Sequence, residues 1–122
     1  MERKQKQTPS FDLERMARLM GGNPALVHEV LHTFLIHHRT TGRQIRLWCE
    51  QGELAAAERL AGRMEAIAGT LAAEPMAHAA HELQRMLRQK RRESIEGALR
   101  TFCRALDTLL HDIQAELAGA RA

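Results

Sequence analysis

Apolar residues recur along most of the chain at spacings of three and four, the period of a helix that buries one face. The first such segment begins at Ser10, which can cap a short helix. It ends at Gly21–Gly22, because glycine readily adopts the left-handed conformation found at helix C-termini. Asn23 and Pro24 are typical of an N-cap and the first position of a following helix. The pattern therefore predicts a short first helix followed directly by a second.

The second predicted helix is long, ending at Gly52 with a bend at Thr40–Gly42, and the third begins near Glu53. The third helix ends at Glu74–Pro75, because a residue before proline disfavours the helical conformation. Each of these segments has an apolar stripe that predicts its buried face. The stripes comprise Leu13, Met16, Ala17 and Leu19 in the first helix, Val27, Leu31, Phe34, Ile45 and Trp48 in the second, and Leu60, Met64, Ile67 and Leu71 in the third.

Two further helices follow, separated by a basic stretch from Arg88 to Arg92. The fourth has Pro75 in its first turn, and the fifth begins near Ser94 and ends at Gly119. Four long amphipathic helices with short connections favour an all-α, antiparallel up-down four-helix bundle, here with a short extra N-terminal helix. The remaining stripes are Met76, Ala79, Ala80, Leu83, Met86 and Leu87 in the fourth helix, and Ile95, Leu99, Phe102, Leu106, Leu109, Ile113 and Leu117 in the fifth.

Length and composition indicate one soluble domain. A chain of 122 residues can bury one core, which we assign to residues 10–119, and the polar residues 1–9 are expected to form a flexible N-terminal arm. Neither a signal peptide nor a membrane span is predicted, which favours the cytoplasm. Cys49 and Cys103 match no metal-ligand or redox spacing and are expected to be reduced. The net charge of +3 is too small to indicate nucleic acid by itself.

The third predicted helix has an unusual face opposite its apolar stripe, because the residues there are nearly all small. A glycine inside an exposed helix costs about 1 kcal/mol against alanine, so two glycines on one face suggest a function. A docking face for a partner is one interpretation, and tolerance of small residues at a solvated position is the other. The strip itself is Ala55, Gly62, Ala66 and Gly69, with Glu58 and Glu65 on one side and Arg59 on the other.

The helix order, the Gly-Gly-Asn-Pro turn and the segment LAGRMEAIAGTLAAEPMAHAAHEL resemble the histidine-containing phosphotransfer (HPt) domains of bacterial phosphorelays. Those domains have a phosphoacceptor histidine on this helix, with a lysine and a glycine three and four residues later. Here Gly62 stands at the histidine position, Glu65 at the lysine, and Ala66 and Ala72 at two family glycines. The positions that agree with the family are Leu60, Ala61, Ala68, Gly69, Leu71 and Ala73.

The resemblance implies a degenerate HPt-like module that lacks a catalytic residue, uses no cofactor and is not an enzyme. Such a module would bind receiver or kinase domains of a two-component pathway without carrying phosphate. The partner-binding residues are then expected to be Glu58, Arg59, Gly62, Glu65, Ala66 and Gly69.

The histidines leave a rival interpretation open, in which His78 or His81 is a displaced phosphoacceptor. His38 falls on the buried stripe of the second helix and is expected to be a neutral core histidine. The pairs His28/His32 and His78/His81 are each close on one helix, but neither has an evident third ligand, so no metal site is predicted.

The outer face of the fourth predicted helix carries the densest cluster of basic residues. Nucleic-acid binding is therefore a further alternative, since such clusters contact phosphates. The aromatic residues Phe34, Trp48 and Phe102 all lie on predicted core stripes, which leaves none of these three to stack on bases. A solvated face or a contact with an acidic partner is therefore favoured. The cluster consists of His78, His81, Arg85, Arg88, Lys90, Arg91 and Arg92.

Overall fold

The computed structural model of the protein describes residues 10–121, and within them every regular element is an α-helix. The predicted all-α class is therefore confirmed and the structure is compatible with a helical bundle, with six helices where the sequence pattern predicted five. The predicted arm, residues 1–9, lies outside the described residues. The helices are α1 (Leu13–Leu19), α2 (Pro24–His38), α3 (Thr41–Glu50), α4 (Leu54–Thr70), α5 (Glu74–Gln89) and α6 (Arg92–Arg121).

The start of α1 differs from the prediction, because Asp12 and not Ser10 is the N-cap. The Asp12 carboxylate accepts a hydrogen bond from the backbone N–H of Arg15 at 3.0 Å. Ser10 instead donates its hydroxyl to Asp112 on α6 at 2.7 Å, and the Asp12 N–H donates to the Ala72 carbonyl at 2.9 Å. The segment before α1 is thereby tied both to α6 and to the turn after α4.

The Asn23–Pro24 start of α2 is confirmed, since the Asn23 side chain accepts from the N–H of Leu26 at 3.2 Å. The long second helix of the prediction is divided into α2 and α3, with the break at Arg39–Thr40 beside the expected bend. His38 Nδ1 and Thr41 Oγ1 lie 2.9 Å apart in a hydrogen bond across this junction.

Gly42 lets α3 approach α6 closely, because a Cβ at this position would lie 3.1 Å from the Cys103 Sγ atom. Arg46 on α3 also forms an ion pair with Glu96 on α6 at 3.6 Å. These two contacts show that α3 and α6 run antiparallel, since the later residue of α3 meets the earlier residue of α6. The small residue therefore favours close packing of α3 on α6 and does not serve a turn.

The buried face of α4 consists mainly of alanine, which the prediction from large apolar residues missed. Met64 and Leu71 are buried as expected, but Leu60 and Ile67 are only half-buried. Alanine adds little width to a helix, so α4 can lie close against α5. The α4 residues with no exposed surface are Ala57, Ala61, Met64 and Ala68, and the buried residues of α5 are Met76, Ala79, Ala80, Leu83 and Leu87.

The ends of α4, α5 and α6 also refine the predicted boundaries. Helix α4 ends at Thr70, earlier than the expected break at Glu74–Pro75, and Ala72 takes a left-handed conformation with φ of 55° in the turn. Pro75 lies in the first turn of α5 as predicted. The predicted end of the last helix at Gly119 was wrong, since α6 continues through this residue to Arg121.

Helix α6 is the longest helix, with 30 residues, and it contributes buried side chains along most of its length. Its predicted stripe is buried at every position, from Ile95 through Phe102 to Leu117. Trp48 of α3, which was expected in the core, is half-buried at its edge. Among residues 10–121, no helix combines the length and apolar character needed to span a membrane.

Candidate docking face on α4 and α5

Gly62 lies in the middle of α4, and the side chain of Gln84 on α5 covers it. A Cβ atom built on Gly62 would lie 2.6 Å from Gln84 Nε2, and the glycine is half-buried. The expectation that Gly62 belongs to a bare, solvent-facing strip was therefore wrong. Ala55, Ala66 and Gly69 are exposed as expected, and no atom beyond the α4 backbone and the adjacent residues lies within 4 Å of a Cβ added at Gly69.

The two acidic residues of the predicted docking face both pair with α5. Glu58 Oε2 accepts from Arg88 Nε at 2.8 Å, and Glu65 Oε2 lies 3.1 Å from His81 Nδ1. With the Gly62–Gln84 contact between them, these pairs form three successive links along antiparallel helices, which we call the α4–α5 ladder. The carboxylates that were expected to select a partner thus already have basic neighbours within the chain.

The basic residues of this face have fewer internal partners. Arg59 on α4 and Arg85 on α5 are exposed, and no described carboxylate lies within 4.0 Å of either guanidinium. Together with Ala66 and Gly69 they form a surface with little side-chain bulk and an excess of positive charge. We call Arg59, Ala66, Gly69 and Arg85 the docking face.

Arg85 and the α5 members of the ladder, His81, Gln84 and Arg88, were not among the docking residues inferred from the sequence. Glu58 and Glu65 are seven residues apart, as are His81 and Arg88. Residues at this spacing lie on one face of a helix, and the two pairs have complementary side chains. That complementarity is the sequence signal from which the pairing of α4 with α5 could have been inferred.

His38 is a structural histidine, as its position on the α2 stripe predicted. Its ring packs against Phe34 with centroids 4.8 Å apart, and it is bonded to the buried Thr41. Burial lowers the pKa of His38, with smaller contributions from the charges of His37 and Arg63. The other histidines, His28, His32, His37, His78, His81 and His111, are exposed.

Redox or metal chemistry has no evident centre in the described part of the chain. Cys49 and Cys103 are free and half-buried, and burial raises the pKa of both thiols, which disfavours the reactive thiolate. Across residues 10–121, no group of three or more His, Cys, Asp or Glu side chains is placed to hold a metal ion.

The basic end of α5 lacks the aromatic platform that single-stranded nucleic acids require. Lys90 takes a left-handed conformation with φ of 57° and ends α5, and Arg91 and Arg92 are exposed beside it. Phe34 and Phe102 are buried in the core. The charge at this end is therefore not accompanied by exposed phenylalanine for base stacking within the described residues.

No protein-family model matches the chain, and neither a curated protein nor a solved structure shows detectable similarity to it. The chain's own residues and their geometry therefore carry the functional assignment.

Proposed function

We propose that this chain is an HPt-like signalling module that binds receiver or kinase domains of a two-component pathway without accepting phosphate. In this arrangement α2 and α3 together form one arm of an antiparallel four-helix bundle, with α4, α5 and α6 as the other three. The observation that carries the proposal is the Gly62–Gln84 contact. Gln84 occupies the space beside the residue that stands where the family has its phosphoacceptor.

Phosphoryl transfer to a histidine needs an accessible imidazole and a nearby cation to offset the added negative charge. Gly62 supplies no nucleophile, and the Gln84 amide lies over its backbone. Glu65 places a carboxylate where the family has lysine, and like charges repel. The family's histidine and its lysine are thus both replaced at this site, which supports a module that has lost phosphotransfer.

The docking face supports retained partner binding. Ala66 and Gly69 allow another surface to approach the α4 backbone, and Arg59 and Arg85 favour a partner with exposed carboxylates. A receiver domain, whose phosphoacceptor is an aspartate, presents such a surface. The charge that remains on this face after the ladder is formed is therefore complementary to the partner class.

Capture of purified receiver and kinase domains by the immobilised full chain tests this function. Gly69→Trp should abolish capture, because the indole would occupy the approach to α4, while the helical circular dichroism is unchanged. Gly119→Trp is the matched control, since Gly119 also has no contact within 4 Å and lies far along α6. Capture that survives Gly69→Trp, or that is lost equally with Gly119→Trp, would overturn the docking face.

One observation favours an active phosphotransfer protein as a second candidate. When His81 donates its Nδ1–H to Glu65, the lone pair of that imidazole is on Nε2, which is the nucleophilic form. The His81 side chain is 51% exposed. A receiver labelled with radioactive phosphate would then transfer acid-labile label to the chain, and His81→Ala would remove it. His78→Ala is the comparison, because His78 is exposed on the same helix.

A further inference from the structure

Helices α2 and α4 border an open groove of about 630 Å³ on the side of the molecule away from the α4–α5 ladder. Phe34 and Leu71 are buried at its base. Leu26, Val30 and Ile67 form its apolar walls, and Leu26 is 40% exposed. The groove thus exposes apolar surface that neither helix covers.

The α2 side of the groove has the spacing of a helix–helix contact seam. Leu26, Val30, Thr33 and His37 follow one another at steps of four, three and four, and all four line the groove. A helix presents such a row to a second helix that packs along it. Within the described residues no helix of the same chain occupies this position.

Side chains of opposite charge, Glu29 and Arg63, lie towards the two ends of the groove. Glu29 lies near Leu26 at one end, and His37 and His38 lie at the other. Arg63, one turn before Ile67 on α4, lies beside the histidine end and outside the lining of the groove, and its positive charge helps to lower the pKa of His38. Neither Glu29 nor Arg63 has an ion-pair partner among the described residues.

We propose that this groove is the interface between two copies of the chain, with the two α2 helices packed antiparallel about a two-fold axis near Thr33. A two-fold axis brings residue i of one copy to residue j of the other, and j to i. Glu29 of each copy then faces the His37 and Arg63 end of the other copy. Val30 of both copies then lies near the axis, with Leu26 further out towards each end and Phe34 buried beneath them.

The opposite charges of Glu29 and Arg63 favour a second copy of this chain over a partner helix that is uniformly acidic or uniformly basic. An acidic helix would complement Arg63 but face Glu29, and a basic helix would do the reverse. The two-fold arrangement satisfies both ends at once. It uses the α2 side of α4, so it leaves the docking face on α4 and α5 open and does not depend on the proposed signalling role.

Sedimentation velocity of the full chain at increasing concentration tests the interface. The wild-type chain should form a reversible dimer. Glu29→Lys and Arg63→Glu should each weaken dimerisation about tenfold or more, because each places like charges together twice. An equimolar mixture of the two variants should dimerise again, since both contacts between positions 29 and 63 in the mixed pair join one basic and one acidic side chain. Recovery of the dimer in this mixture is expected only if position 29 of one copy contacts position 63 of the other about a two-fold axis.

Matched controls are Glu50→Lys and Arg104→Glu, which reverse exposed charges outside the groove and should leave the dimer unchanged. Leu26→Asp should give a monomer with unaltered helical circular dichroism, because it changes only the partly exposed wall. A wild-type chain that stays monomeric at several hundred micromolar would overturn the proposal. A dimer that is insensitive to both charge reversals, or a mixture that does not recover it, would do so as well.

Discussion

The Gln84 Nε2 atom lies 2.6 Å from the point where residue 62 would have a Cβ atom. This contact lies between the Glu58–Arg88 and Glu65–His81 pairs that join α4 and α5. Gln84 meets residue 62 with the far end of a flexible side chain, so an added methyl group can displace it without moving the backbone. The two glycines of α4, half-buried Gly62 and exposed Gly69, therefore differ in their surroundings.

Gly69→Ala should raise the free energy of unfolding by about 0.5–1 kcal/mol, because alanine is favoured over glycine inside a helix and the added methyl group meets no neighbouring atom. Gly62→Ala should gain less, since it displaces Gln84. Urea denaturation followed by circular dichroism measures both changes. A Gly69→Ala variant less stable than the wild type would contradict this description of the helix face.

Ala61→Leu should destabilise the protein by about 1–3 kcal/mol, because Ala61 has no exposed surface and extra methyl groups would force α4 and α5 apart. Ala55→Leu is the matched control on the same helix, where the side chain is exposed and the change should be within about 0.5 kcal/mol. The same denaturation measurement compares them. Equal effects of the two variants would mean that α4 does not bury its alanine face against α5.

Stability should fall as the pH drops below the ordinary histidine pKa of 6.5, because burial holds the pKa of His38 lower in the folded chain. The unfolded chain then binds a proton at this residue more readily than the folded chain does. His38→Gln removes the titration and keeps a polar group beside Thr41. Melting temperatures of both chains between pH 7.5 and pH 5 should show a shallower decline for the variant, and identical declines would rule out this role for His38.

The sequence predicted the helices best where large apolar residues carry the pattern. All seven residues of the α6 stripe are buried, and the Asn23–Pro24 start of α2 is as expected. The sequence pattern was less successful on α4, because Ala57, Ala61 and Ala68 give a weak hydrophobic signal although they have no exposed surface. Close helix approach depends on small size, which a hydrophobic pattern does not measure.

The candidate site was predicted less completely, because its properties arise between two helices. The hydrophobic pattern placed Glu58, Glu65 and Gly62 on one side of α4 but did not show what lies opposite them. The matching spacing of His81 and Arg88 is a signal for two of the contacts, and no signal indicates Gln84. Ser10 is a similar case, since its partner Asp112 is 102 residues away along the chain. Local signals define a helix face, and the tertiary contact decides whether that face is free.

Transfer of labelled phosphate tests the central claim most directly. Receiver domains charged with radioactive acetyl phosphate are mixed with the full chain, and acid-labile label on the chain is measured over time, with an intact HPt domain as the positive control. The account predicts that the receivers bind but that no label appears on the chain. Label that accumulates on the wild-type chain and disappears with His81→Ala would contradict it and establish an active phosphotransfer protein.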